Sequence, residues 1–153
     1  MIKVGIPRAL LYYQYFPMWE TFFETLGAEV VVSSPTNKTI LNLGVSRAVA
    51  DTCLPVKIFL GHVISLIQKC DCIFVPAVTS LGKKTYNCSK IIGLPNMTRA
   101  LIPECPIIFD PEINLEKGRY YLYQNIYKLG RNFTSNPFKI KEAVEDAWTK
   151  ITK

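Results

Sequence analysis

The sequence predicts an α/β fold, a Rossmann-like three-layer sandwich in which a parallel sheet of about four strands has helices on both faces. Short apolar runs rich in β-branched residues alternate with amphipathic stretches, roughly every 30 to 40 residues, which is typical of right-handed βαβ units. The four expected strands are 2–6, 29–32, 72–75 and 107–110. We expect them in the order 2-1-3-4 across the sheet.

Helix signals lie between and after these strands. Pro17 suits the first position of a helix, whose apolar residues recur at helical spacing until Gly27 ends it. Pro55 suits the same position in a later helix, and Pro95 is expected to interrupt the helix that contains it. Asn136 is a candidate N-cap. The expected helices are 17–26, 38–43, 55–69, 89–101, 115–129 and 137–151.

The composition indicates a single globular domain over residues 1–153. Hydrophobic residues make up 49% of the chain and charged residues 20%, which excludes a disordered protein. No apolar run reaches the ~18 residues that a membrane span requires, and the N-terminus has the pattern of a strand and a turn instead of a signal peptide. We therefore expect a cytoplasmic protein that does not bind membranes.

Charge and cysteine usage narrow the class of protein further. The net charge is +6, but the basic residues are scattered, and no zinc-finger, helix-turn-helix or RNP-like pattern occurs. We therefore expect no nucleic-acid partner. The five cysteines include no Cys-x-x-Cys pair, which disfavours a zinc ribbon or a thioredoxin-type site, and a cytoplasmic chain is not expected to use them as a disulfide framework.

A parallel sheet of this kind predicts where a ligand binds, because ligands lie beyond the carboxyl ends of the strands. The segments that leave those ends are 7–16, 33–37 and 76–88. Arg8 suits either an anionic ligand, such as a CoA phosphate, or a structural salt bridge. Thr36 and Asn37 suit either the lining of a crevice or the cap of the following helix.

Cys53 and Cys88 are the candidate reactive thiols, because each precedes a predicted helix. Helix N-termini favour thiolate over thiol. They lie ~35 residues apart, so they act together only if the fold brings their loops to one edge of the sheet. The other three cysteines, Cys70, Cys72 and Cys105, begin or flank strands and are expected to be structural.

His62 falls roughly opposite the apolar face of its helix. This placement leaves two readings open. A surface or hydrogen-bonded structural role is favoured over donation of a hydrogen bond or a proton to a ligand.

Several segments together resemble a known family. They are GIPRALLYY (5–13), FPMW (16–19), SPTNK (34–38), CLPVK (53–57), GH (61–62) and GLPNM (93–97). The chain resembles the acyl-CoA dehydratase activase-related proteins, which are similar to the iron–sulfur components of 2-hydroxyacyl-CoA dehydratases and benzoyl-CoA reductases. The resemblance covers roughly residues 1–110. The helices predicted at 115–151 carry none of its motifs.

The resemblance implies a Rossmann-like lobe that helps to hold a [4Fe–4S] or double-cubane cluster and receives low-potential electrons from an ATP-dependent activase. Cys53 and Cys88 match the cluster-ligand positions of the family, with Arg8, Thr36 and Asn37 nearby, and a CoA thioester is the implied substrate. Iron favours soft thiolate ligands. Related subunits use three cysteines, so we expect another lobe or a second copy in a homodimer to complete the ligand set. The chain then corresponds to the N-terminal lobe of a larger cluster-binding unit and is not expected to be catalytic alone.

Two other functions remain open. One is a non-catalytic docking or regulatory domain that lacks a cluster and binds an activase or a larger homologue. The other is a small-molecule or nucleotide-binding domain. It is disfavoured because no Gly-x-Gly-x-x-Gly and no P-loop occurs, and Pro7-Arg8 stands where a glycine-rich phosphate turn is expected.

Overall fold

The strands form two parallel sheets in the computed structural model, which describes residues 1–10, 12–80 and 89–151. The strands are β1 (Lys3–Ile6), β2 (Glu29–Val32), β3 (Cys72–Phe74), β4 (Ala77–Ser80), β5 (Ile107–Phe109) and β6 (Glu112–Asn114). The larger sheet has the order β2-β1-β3-β5, and every neighbouring pair in it is parallel. The predicted fold class and strand order are confirmed, with β5 as the predicted fourth strand.

Seven α-helices lie between and after the strands in the described part of the chain. They are α1 (Tyr12–Thr25), α2 (Lys38–Arg47), α3 (Leu54–Leu66), α4 (Ser89–Ile92), α5 (Leu94–Leu101), α6 (Arg119–Gly130) and α7 (Pro137–Ile151). α4 and α5 are separated at Gly93, and Pro95 lies in the first turn of α5, so the predicted interruption is confirmed. Asn136 Oδ1 accepts a hydrogen bond from the Phe138 backbone N–H at 3.0 Å, as predicted for an N-cap. Within the described ranges, no helix is long and apolar enough to cross a bilayer.

Pro17 does not begin a helix, which corrects the prediction. It lies inside α1, which starts at Tyr12. A proline in a helix interior removes one backbone hydrogen bond and crowds the preceding turn. α1 forms nevertheless because its inner face enters the core, where Phe22 is 1% and Phe23 0% exposed. The Phe23 and Phe74 rings pack edge to face, with centroids 5.1 Å apart, so α1 is held directly against β3.

Gly118 divides the segment that was predicted as one helix from 115 to 129. Leu115–Lys117 forms a single 3-10 turn, and Gly118 follows it with a φ of 93°. This backbone conformation is easily adopted only by glycine. α6 therefore begins at Arg119, four residues later than predicted.

A second sheet was not predicted. β4 and β6 pair in parallel, with Ala77 opposite Glu112 and Val78 opposite Ile113. From the sequence, residues 76–88 are expected only as a segment that leaves the carboxyl end of the third strand. Strands of three or four residues are too short to show a recognisable period, so only the tertiary pairing identifies them.

Helices cover both faces of the larger sheet, as expected for a three-layer sandwich. One core cluster packs α1, α6 and α7 against the face that carries Val4 and Phe74. The other packs α3 and α5 against the face that carries Ile73 and Ile108. The alternation of Cys72, Ile73 and Phe74 between the two clusters follows from the two-residue period of a strand.

α2 forms an additional layer outside α3, and two glycines allow their close approach. A Cβ atom placed on Gly44 would overlap the Lys57 carbonyl oxygen, and one placed on Gly61 would overlap the Ile40 carbonyl oxygen. The pairs 44 with 57 and 40 with 61 run in opposite directions, so the helices are antiparallel. This contact holds the start of α2 beside the middle of α3, where the candidate site lies.

Candidate functional site

Polar residues meet at the carboxyl ends of β1 and β2. The Arg8 backbone N–H donates a hydrogen bond to Ser33 Oγ at 2.8 Å. Ser33 Oγ lies 2.7 Å from His62 Nδ1, and His62 Nε2 lies 2.8 Å from Thr36 Oγ1. We call these four residues the edge network. It connects the loops after β1 and β2 to α3.

A neutral imidazole satisfies every hydrogen bond of the edge network. Ser33 Oγ accepts from Arg8 and donates its own hydrogen to Nδ1, and Nε2–H then donates to Thr36; the opposite tautomer also satisfies the two ring contacts. Burial lowers the pKa of His62, and the positive charge of Arg8 lowers it further. His62 is therefore neutral in the folded protein at neutral pH.

His62 is completely buried, with 0% of its surface exposed. The hydrogen-bonded interpretation is confirmed, and the surface interpretation is wrong. The helical period placed His62 opposite the apolar face of α3 correctly, but α2 packs on that side, so both sides of α3 are covered. A periodicity argument assumes one buried face and cannot detect a second helical layer.

The protonation of His62 predicts a pH dependence of stability. Because the folded state holds the pKa of His62 below its ordinary value of about 6.5, the unfolded chain binds a proton more readily. The contribution is fully present above pH ~6.5 and is lost as the pH falls toward the folded-state pKa. We expect the free energy of unfolding, measured with urea, to fall in this window.

His62→Gln is the control for this pH dependence, because glutamine does not titrate and His62 is the one histidine of the chain. In the variant, the free energy of unfolding should no longer fall with falling pH in the range above that in which carboxylates titrate. Identical pH profiles for the variant and the wild type would contradict the assignment of this titration to His62.

Thr36 and Asn37 have different roles. The Asn37 side chain caps α2 by accepting a hydrogen bond from the Ile40 backbone N–H at 2.9 Å. The capping interpretation is therefore confirmed for Asn37. Thr36 is exposed but directs Oγ1 to His62. Contact of either residue with a ligand stays a prediction.

Ser33 was not singled out from the sequence, yet it lies at the centre of the edge network. It is only 3% exposed. The one feature of the sequence that could have indicated a role for Ser33 is its position as the first residue after β2, because the loops at the carboxyl ends of parallel strands often form ligand sites. A single serine at such a position does not reveal that a histidine 29 residues later is its partner.

Arg8 follows β1 and is half-buried. Its guanidinium carbon lies 5.8 Å from the centroid of the Tyr12 ring, a cation–π arrangement with the first residue of α1. Arg8 thus places positive charge at the same edge as Ser33 and His62. Binding of an anionic group by Arg8 stays a prediction.

Cys53 is exposed and occupies the N-cap position of α3, with Pro55 in the first helical turn. Its side chain makes no capping hydrogen bond, so the thiol is not engaged by the helix that it precedes. Nine residues separate it from His62, which is about 13 Å along the helix axis. Because α3 runs toward the start of β3, its first residue lies on the carboxyl-end side of the sheet. Cys88 lies outside the described residues.

The remaining three cysteines are buried or half-buried and are held by packing. Cys72 faces the core, and burial raises the pKa of its thiol to about 12. Burial likewise raises the pKa of Cys105 to about 11 and raises that of Cys70. Thiols with raised pKa values are poor nucleophiles and poor metal ligands. The structural interpretation of these cysteines agrees with their surroundings.

A small apolar cavity of about 50 Å³ lies at the point where the strand order reverses between β1 and β3. Pro7, Tyr12 and Pro76 are among its lining residues. Over the described ranges, no three His, Cys, Asp or Glu side chains are grouped so that they could hold a metal ion. The described residues therefore offer one exposed thiol, Cys53, at the start of α3 and, separately, a polar network and an apolar crevice at the edge of the sheet.

These features define a parallel α/β domain with an ordered polar network at the carboxyl edge of its sheet and a cysteine at the start of a covering helix. The chain belongs to the family described as the CoA enzyme activase uncharacterised domain, which matches residues 3–153. The activase-related part of the resemblance is thereby confirmed, whereas the extension to iron–sulfur components stays a prediction. No curated protein matches the chain.

Proposed function

We propose that this domain is an iron–sulfur cluster-binding module of a 2-hydroxyacyl-CoA dehydratase-like or benzoyl-CoA reductase-like system. An ATP-dependent activase supplies its low-potential electrons. The observation that carries the proposal is the exposure of Cys53 at the start of α3, within the motif by which the chain resembles the cluster proteins. Membership of the CoA enzyme activase family supports the context.

The chemistry of Cys53 suits one ligand position of a cluster. Its thiol is exposed and makes no capping hydrogen bond to α3, so an incoming iron atom displaces no such bond. The positive end of the helix dipole favours the negative charge of a thiolate-ligated cluster. When bound, the cluster supplies one-electron chemistry, and this chain supplies ligation and orientation.

One thiol is not a complete ligand set. The described residues therefore fit a single ligand position, and Cys88 is the proposed second. The rest comes from a second lobe or a second copy of the chain. Arg8, Thr36 and Asn37 are proposed to face the bound group or the CoA moiety of a thioester substrate, because Arg8 and Thr36 belong to the edge network and Asn37 directly follows Thr36.

Anaerobic reconstitution with iron and sulfide tests the proposal. We expect the wild-type protein to become brown and to retain iron and acid-labile sulfide after desalting. Cys53→Ala is expected to lose most of this iron. Cys105→Ala is the matched control, since its thiol is half-buried with a raised pKa and should contribute little to iron binding.

Either of two results would contradict the cluster module. One is a wild-type protein that stays colourless and free of iron after reconstitution, both alone and with its activase. The other is equal iron retention by the Cys53→Ala and Cys105→Ala variants. A colourless protein that still co-purifies with an activase would favour the alternative function, a docking or regulatory domain without a cluster.

A further inference from the structure

A second apolar cavity, larger than the one between β1 and β3, lies away from the edge network. It has a volume of about 240 Å³ and is enclosed by α1, α6 and α7 together with β4 and β6. Its lining residues carry only apolar or aromatic side chains, among them Met18, Ile113, Ile126 and Val144. A void of about 150 Å³ with such a lining is large enough to bind benzene in another protein. The cavity is therefore large enough for a small apolar group.

The cavity reaches the surface at Trp148. This residue lines the cavity and is 48% exposed, and Leu115, also in the lining, is 38% exposed. The opening lies beside the start of α6, since Leu115 precedes that helix and Leu122 lines the cavity from its second turn. An occupant thus has one end in an apolar interior and the other at the protein surface.

A positive charge marks this opening. The Arg119 guanidinium carbon lies 5.7 Å from the centroid of the Trp148 ring, and Arg119 is the first residue of α6. The start of α6 has no side-chain cap, and the helix dipole adds positive potential there. No carboxylate forms an ion pair with Arg119 in the part of the chain that the structure describes. The guanidinium is held by an aromatic face and keeps its hydrogen-bond donors for an anion.

We propose that this cavity binds a carboxylic acid with an apolar chain. The chain fills the space between α1, α6 and α7, and the carboxylate meets Arg119 at the start of α6. The apolar lining excludes a polar body, and the Arg119 guanidinium at the opening favours an anionic head group. This site is independent of the proposed cluster function, because neither Cys53 nor the edge network contributes to it.

Intrinsic fluorescence makes the site measurable, because both tryptophans of the chain, Trp19 and Trp148, line the cavity. We expect octanoate to change their emission saturably below its micellar concentration. Octanol serves as the probe that has the same chain but lacks the charge. Arg119→Gln should weaken octanoate binding about fivefold, the effect of one partly exposed charge pair, and leave octanol binding unchanged.

Two further variants distinguish the effect of the charge at the opening from the effect of the cavity volume on binding. Arg131→Gln removes an exposed charge at the opposite end of α6 and should not change octanoate binding. Ala147→Leu enlarges a buried lining residue and should abolish binding of both probes, with thermal unfolding reporting that the protein is folded. Arg119→Gln is on the surface, so it tests the site even if Ala147→Leu does not fold. The proposal is overturned if octanoate gives no saturable signal, or if the two arginine variants bind it equally.

Discussion

Replacement of Gly61 by alanine is expected to lower the free energy of unfolding by about 3 kcal/mol. The added methyl group would overlap the Ile40 carbonyl oxygen of α2, which is backbone and cannot rotate away. α2 must then move off α3, and this movement disturbs the Thr36–His62 hydrogen bond. Alanine favours a helix over glycine by only about 1 kcal/mol, so the steric overlap decides the sign.

Urea denaturation of Gly61→Ala beside Ser46→Ala measures this effect. Ser46 is exposed on α2, and its replacement should change the free energy of unfolding by less than about 0.5 kcal/mol. Gly44→Ala places its methyl group against the Lys57 carbonyl oxygen from the other helix and should resemble Gly61→Ala. A Gly61→Ala protein as stable as the Ser46→Ala protein would show that α2 and α3 do not pack this closely.

Replacement of His62 by alanine is expected to lower the free energy of unfolding by about 3 kcal/mol. Two losses add together. The imidazole is fully buried, so its removal leaves a cavity between α2 and α3. The buried hydroxyl of Ser33 also loses its ring partner, although the Arg8 backbone N–H still donates to it.

Thr36→Ala is the matched control, because it removes the other ring partner of His62 at an exposed position and leaves no cavity. Its expected effect is about 1 kcal/mol, the value of one hydrogen bond. The same urea experiment compares the two variants. Equal losses would mean that His62 contributes to the free energy of unfolding only through its hydrogen bond to Thr36, and that packing of the imidazole contributes little.

The sequence predicted the elements that rest on long, periodic patterns. The alternation of strands and helices indicated the parallel sheet and its order, and Asn136 marked the start of α7. The start of α1 was misplaced because a helix-start rule was applied to Pro17, whereas burial of Phe22 and Phe23 outweighs the effect of the proline. The pairing of β4 with β6 was missed because such short strands carry no period.

The position of the candidate site in the fold was predictable from the sequence, but the contacts between its residues were not. Parallel strands bring their following loops to one edge, and this rule indicated Arg8, Thr36 and Asn37. It did not indicate that Ser33 and His62 would connect them. That connection depends on α2 covering α3 at Gly44 and Gly61. Two glycines in separate helices give no sign of contact until the helices are packed.

The sequence by itself determined the fold class, the family and the edge of the sheet where the loops that follow the strands gather, because all three follow from local periods and short contiguous motifs. Only the tertiary structure decided that His62 is buried and neutral, and that α1, α6 and α7 enclose a cavity with Arg119 at its opening. Burial, the pKa of a side chain and the shape of a cavity are set by atoms from distant parts of the chain. Such atoms become neighbours only when the layers pack.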